Sequence, residues 1–159
     1  MTWQLRRATD GDLVQIMVLE DALFEHDAWS PATMRAELAD TNGYYLVAFR
    51  PEEPGRLDAY AGLRSPPGQP QADIQTIAVA EHARRNGLGR VLMLRMIEEA
   101  RDRGATELFL EVRADNPGAQ ALYDQLGFER IAERPNYYRG GISAIIMRLT
   151  IPAPVTGLA

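Results

Sequence analysis

The stretch Ile77-Ala78-Val79, followed after a short loop by Arg84-Arg85-Asn86-Gly87-Leu88-Gly89-Arg90, sets the reading of this chain. An apolar strand runs into an Arg-x-x-Gly-x-Gly turn, and the turn opens an amphipathic helix. Backbone N–H groups at a helix start lack an intrahelical partner, and together with the helix dipole they favour an anion such as a phosphate group. Gly87 and Gly89 let the main chain approach such a ligand without an intervening side chain. The turn is neither the G-x-G-x-x-G of dinucleotide folds nor the Gly-Lys-Ser/Thr of a P-loop. Taken alone, it is equally an ordinary strand-to-helix loop with two convenient glycines.

Working outward, residues 72–79 read as the strand before the turn and residues 88–103 as the long helix after it. Leu88, Val91, Leu92, Met96 and Ala100 lie at helical spacing, and Gly104 is the stop. Residues 106–112 are β-rich, so strand, helix and strand make a βαβ unit with a parallel pair. Asn116-Pro117 opens a further helix that ends at Gly127, and residues 128–133 and 142–150 supply two last strands. Upstream, residues 3–7 read as a strand. Thr9 or Asp10 then caps a helix with Leu13, Ile16, Met17, Leu23 and Phe24 on its apolar face. Ser30-Pro31 starts a short helix carrying Met34 and Leu38. Residues 44–49 and 58–64 make an antiparallel hairpin across Pro51-Glu52-Glu53-Pro54-Gly55, and residues 66–70 form a loop. The order β-α-α-β-β-β-α-β-α-β-β predicts an α/β domain with a mixed sheet.

With 159 residues and 46% hydrophobic composition, the chain suffices for one domain that buries roughly two thirds of its unfolded surface. That domain is expected over residues 1–150, with the Pro-rich residues 151–159 as a loose tail. A net charge of −5 argues against a general nucleic-acid binder and suits a basic acceptor. There is no cysteine, so thiolate nucleophiles, disulfides and cysteine metal ligands are excluded. His26 and His82 are far apart and read as solvated loop residues, so no metal is expected. The first residues lack the apolar core of a secretory signal, and no apolar run of about 18 residues occurs, which points to a cytoplasmic protein and no membrane partner.

At this point the chain resembles the GNAT superfamily of acetyl-CoA-dependent N-acetyltransferases, whose signature is Arg/Gln-x-x-Gly-x-Gly/Ala between the fourth strand and the long helix. The resemblance goes further, to the RimI-type bacterial enzymes, which acetylate the N-terminal alanine of a small-subunit ribosomal protein. The residues that carry it are Leu110-Glu111-Val112-Arg113-Ala114-Asp115-Asn116, Ala121-Leu122-Tyr123, Leu126-Gly127-Phe128 and Asn136-Tyr137-Tyr138, with Trp29-Ser30 and Ile145-Ile146-Met147. The similarity extends from Leu5 to Leu149. It implies a mixed, mostly antiparallel seven-stranded sheet with a central parallel βαβ unit and helices on both faces. Two segments depart from the subfamily: Glu25-His26-Asp27-Ala28 replaces a Phe-Pro approach to Trp29, and the Arg139-Gly140-Gly141 turn is short. Both bear on the acceptor rather than on the donor.

Acetyl transfer from a thioester to an amine needs a neutral amine, a stabilised oxyanion and a leaving thiolate. By resemblance, Glu111 is the general base, acting directly or through a water; otherwise it is an exposed carboxylate at a strand end. Tyr123 matches the tyrosine that protonates the departing CoA sulfur, and its place on the apolar helix face equally suits a core tyrosine. The backbone of Ile77, Ala78 and Val79 is assigned to the acyl and pantetheine portion. Arg84, Arg85, Asn86, Gly87, Leu88, Gly89 and Arg90 are assigned to the pyrophosphate. Asn116 caps its helix, contacts the pantetheine arm, or does both.

Near pH 7.5 about a third of α-amino groups are neutral, against about one lysine in a thousand, so a modest carboxylate base favours a protein N-terminus as acceptor. Trp29, Tyr137 and Tyr138 are candidate walls for that peptide, and Glu25 and Asp27 are candidate partners for a basic second residue. Loop packing and solvated charge explain the same residues. Two further readings stay open: an enzyme of the same fold acting on a small-molecule amine or a lysine, and a non-catalytic CoA-binding regulatory module.

Overall fold

The structure, a computed structural model, describes residues 2–152; residues 153–159, most of the expected tail, lie outside the described residues. Its strands are β1 (Gln4–Arg7), β2 (Gly43–Phe49), β3 (Leu57–Arg64), β4 (Gln71–Val79), β5 (Glu107–Arg113), β6 (Glu129–Arg134) and β7 (Ala144–Thr150). They form a seven-stranded sheet in the order β1-β2-β3-β4-β5-β7-β6. The helices α1 (Leu13–Phe24), α2 (Pro31–Ala39), α3 (Leu88–Asp102) and α4 (Pro117–Gln125) fall between strands in the predicted order. Two compact units carry these elements. The first gathers the residues up to Arg64 with Ile74–Met96, and the second Ser65–Asp73 with the residues from Ile97 onward.

In the first unit β2 pairs antiparallel with both β1 and β3, with Gln4 opposite Phe49 and Tyr45 opposite Gly62. Leu46, Val47, Ala48, Ala59, Tyr60, Ala61 and Leu63 are all buried. These runs are apolar throughout rather than alternating, as strands covered on both faces require. α1 contributes Ile16, Met17 and Leu19 to the core and α2 contributes Met34. Burying each such side chain stabilises the fold by about 1.5–3 kcal/mol. α2 starts as read from the sequence: the Ser30 hydroxyl accepts the Thr33 N–H at 3.1 Å, with Pro31 in the first turn. α1 starts later than Thr9 or Asp10, because a single turn of 3-10 helix, Asp10–Asp12, precedes it. Asp12 turns back there to accept the Thr9 N–H at 2.8 Å.

Gly62 is needed for space. A Cβ there would lie 2.2 Å from two ring atoms of Tyr45, whose hydroxyl is fixed by donating to Glu37 at 2.9 Å. Gly62→Ala is expected to destabilise the protein by about 3 kcal/mol, the upper part of the overpacking range. Urea unfolding measures it, and a variant within about 0.5 kcal/mol of the parent, the range of an inconsequential substitution, would mean that the ring moves aside freely.

In the second unit Gln71–Asp73 of β4 pairs parallel with Glu107–Phe109 of β5, the parallel pair expected from the βαβ reading. β7 lies antiparallel between β5 and β6, with Glu111 opposite Ile146 and Arg134 opposite Ala144. β6 is exposed along its whole length, and its charged Glu129, Arg130, Glu133 and Arg134 guard the sheet edge against pairing with another chain. Along α3 the buried stripe is Leu88, Leu92, Met93, Met96, Ile97 and Ala100. Val91, expected in that stripe, is 45% exposed. The 88-92-96 row sets the centre of the stripe, so position 91 falls to one side and Met93 takes the core place.

Candidate active site

Each unit carries its own share of the candidate residues. In the first, β4 ends at Val79, with Ala78 buried and Ile77 and Val79 half-buried. A turn of 3-10 helix, Glu81–Ala83, follows, and its Ala83 is fully buried. The Arg84 Nε donates to the Val79 carbonyl at 3.1 Å, and the Asn86 amide donates to the carbonyls of Ala83 and Arg84 at 3.1 and 3.0 Å. Two residues expected to face the donor thus brace their own loop. Arg85 and Gly87 both have positive φ, 65° and 77°. A Cβ at Gly87 would meet nothing within 4 Å, so the glycine serves the backbone turn and leaves open space before it. The Gly87 carbonyl accepts the Val91 N–H at 3.0 Å, which makes Gly87 the residue flanking α3. The N–H groups of Leu88, Gly89 and Arg90 therefore have no place in the helical ladder and are available to an anion.

The approach to α2 is in the same unit. Glu20, on α1, is only 2% exposed. Its carboxyl accepts the Trp29 backbone N–H at 2.8 Å and the Tyr60 hydroxyl proton. Burial and the Glu20 hydrogen bond push the Tyr60 phenol far above its usual range, so it remains a donor. Between these anchors Glu25 has φ 46° and ψ −111°, a backbone conformation that is strained for a residue with a Cβ. Trp29 is half-buried, and His26 and Glu25 are exposed.

In the second unit Glu111 projects from β5 with its side chain 33% exposed, and the Arg134 guanidinium pairs with it at 3.4 Å. Both partners are solvated enough for the pair to orient more than to stabilise. The Arg134 guanidinium also lies 5.6 Å from the Tyr137 ring centre, and Arg113 lies 5.0 Å from that of Tyr138. The two tyrosines meet edge to face at 5.0 Å. The structure thus brings Glu111, Tyr137 and Tyr138 together through the two arginines. Asn116 caps α4 by accepting the Ala119 N–H at 3.1 Å, a use of its carbonyl oxygen that leaves its amide protons to a ligand.

Tyr123 is 6% exposed, and its ring packs edge-on to Phe128 at 5.9 Å. Burial, and secondarily the nearby Tyr138, push its phenol up to about 12. Its hydroxyl has no hydrogen-bond partner among the described residues. The oxygen is not among the buried polar atoms left without a partner, so solvent reaches it.

Residues 13–128 match the Acetyltransferase (GNAT) family. The chain belongs to this family of acetyl-CoA-dependent N-acetyltransferases. Among its GNAT relatives is the N-alpha-acetyltransferase RimI of Mycobacterium tuberculosis, 36% identical over 146 residues that cover 88% of this chain and 87% of that one. The [ribosomal protein bS18]-alanine N-acetyltransferase of Escherichia coli is 38% identical over 126 residues, covering 77% and 81%. A crystal structure of the Escherichia coli ribosomal-protein-S18-alanine N-acetyltransferase superposes with a TM-score of 0.84 at 30% identity, covering 99% of each chain. The mixed, mostly antiparallel sheet is that of the GNAT fold.

Three polar contacts near the candidate residues escaped the sequence reading. Glu20 occupies a position on the apolar face of α1, four residues after Ile16, and a carboxylate on such a face is the signal that could have found it. Arg134 becomes relevant only through the pairing of β5, β7 and β6. His82, read as a solvated loop residue, is exposed as expected, and the sequence reading missed only that its Nε2 bonds to Asp58 at 2.9 Å. Asp58 itself is 1% exposed within an apolar strand, and that is where the signal lay.

Proposed function

We propose that this GNAT enzyme transfers the acetyl group of acetyl-CoA to the N-terminal α-amino group of a protein, an N-terminal alanine of a small-subunit ribosomal protein in the cytoplasm. What supports the acceptor is the kinship with enzymes named for bS18 alanine acetylation over more than three quarters of the chain. Residues 1–150 act as one acetyltransferase domain. The N–H groups of Leu88, Gly89 and Arg90, with Arg84, Arg85, Asn86 and Gly87 shaping the turn, hold the pyrophosphate. The backbone of Ile77, Ala78 and Val79 takes the acyl and pantetheine portion, with an N–H polarising the thioester carbonyl, and the Asn116 amide meets the pantetheine arm. Trp29, Tyr137 and Tyr138 wall the acceptor, and Glu25 and Asp27 receive a basic second residue.

In this reading the neutral α-amine attacks the thioester carbonyl, Glu111 takes the ammonium proton directly or through a water, and the C–S bond breaks as the tetrahedral intermediate collapses. Tyr123, its phenol at about 12, is protonated at neutral pH and available as a donor. Tyr123 acts as the acid toward the departing CoA sulfur, its hydrogen bond stabilising charge there as the C–S bond breaks.

The test is mass spectrometry of an acetyl-CoA reaction on peptides differing in their first residue. An alanine-first peptide should gain one acetyl group on its α-amine. No turnover on that peptide, with good turnover on a polyamine or an aminoglycoside, overturns the assignment in favour of a small-molecule acetyltransferase.

A further inference from the structure

The connection between β4 and α3 carries the N–H groups assigned above to the donor pyrophosphate, and one buried carboxylate ties it to a neighbouring strand. Asp58, on β3, grips it at two points. Its backbone carbonyl accepts the Ala80 N–H at 2.8 Å, and its Oδ1 meets His82 Nε2 at 2.9 Å. The other oxygen accepts the Trp3 indole N–H at 2.9 Å, and the guanidinium groups of Arg50 and Arg56 approach at 3.6 and 3.7 Å. Arg56 also lies 3.4 Å from both ring nitrogens of His82, a distance that places it against the ring.

A carboxylate 1% exposed has a large desolvation cost, and an apolar residue would serve the strand as well or better for stability alone. Its surroundings offset that cost only if each donor stays in place, which makes the cluster a rigid anchor. Bonds inside the loop, from Arg84 to Val79 and from Asn86 to Ala83 and Arg84, fix its shape. The pairing of β4 with β3 sets where the loop begins, and the Asp58 side chain adds a tie further along it, at His82. We propose that Asp58 and His82 are positioning residues for the donor, holding the Arg84-to-Arg90 turn where its N–H groups meet the pyrophosphate. This rests on the assignment of that turn to the pyrophosphate.

The experiment compares acetyl-CoA with S-acetylpantetheine, which has the same thioester and no phosphate, in the full-length enzyme and in His82→Ala and His82→Gln. The glutamine amide can donate to Asp58 as the imidazole Nε2 does; alanine cannot. For His82→Ala, KM for acetyl-CoA should rise about tenfold, the scale of one charge-assisted hydrogen bond, with kcat little changed. Its kinetics with S-acetylpantetheine should match the parent's, and His82→Gln should recover most of the loss. If the parent itself does not prefer acetyl-CoA to S-acetylpantetheine, the turn does not hold the pyrophosphate and the underlying assignment fails. If the parent prefers acetyl-CoA and His82→Ala prefers it equally, the assignment stands and the positioning role is overturned. A lowered melting temperature without any change in that preference overturns the role equally, because it marks a merely structural pair.

Discussion

Glu111→Gln is expected to lower kcat between about a hundredfold and a thousandfold, with the affinity for acetyl-CoA unchanged, the usual scale for removing a general base. Glutamine keeps the shape of the side chain and an oxygen for Arg134, which approaches at 3.4 Å, and loses only the ability to take a proton. Tyr123→Phe should cost less, about tenfold to a hundredfold, because a thiolate of pKa about 8.5 is already a fair leaving group. The phenyl ring preserves the edge-on contact with Phe128 at 5.9 Å. As no partner holds the hydroxyl among the described residues, its removal should leave the melting temperature close to that of the parent. With the phenol at about 12, Tyr123 stays protonated below that pH, so the parent should show no alkaline loss of kcat from this group up to about pH 10. Steady-state kinetics, calorimetric titration with CoA and thermal melts together separate these effects. Unchanged kcat in both variants would remove Glu111 and Tyr123 from the chemistry.

The elements that were legible in the sequence are those whose signals are local. The turn after Val79, the cap pairs Ser30-Pro31 and Asn116-Pro117 and the hairpin of β2 and β3 each depend on residues a few positions apart, and each is found where it was read. The polar anchors depend on partners far along the chain. Glu20 meets Tyr60 across 40 positions, Trp3 meets Asp58 across 55, and His82 meets Asp58 across 24. No periodicity within a window of a dozen residues encodes such a pair, although a carboxylate inside an apolar run announces that some partner must exist. The exposure of Val91 and burial of Met93 on α3 are different in kind: they follow from helical geometry about the 88-92-96 row, which places position 91 to one side of the stripe.

Glu20→Ala is expected to destabilise the protein by about 3–5 kcal/mol, from two buried neutral donors left without an acceptor at about 1–3 kcal/mol each together with the lost packing. The substitution leaves the Tyr60 hydroxyl, in a residue with no exposed surface, and the Trp29 N–H without their acceptor. It also opens a cavity on the core side of α1. For a chain of this length that loss corresponds to a fall of roughly 10 °C or more in melting temperature. Glu20→Gln should lie between, because an amide presents only one oxygen where the carboxyl presents two, although its N–H2 can donate to the Tyr60 oxygen. The second consequence is local. Glu25 holds a strained φ of 46° in the segment that Glu20 tethers at Trp29, and such strain persists only where the surroundings enforce it. With the tether weakened in Glu20→Gln the segment should relax, and KM for an alanine-first peptide should rise severalfold while KM for acetyl-CoA stays put. The measurement is a pair of KM values for Glu20→Gln at a temperature well below its melting transition. A parallel rise in both constants would mean that Glu20 supports the fold at large and has no particular hold on the Trp29 segment.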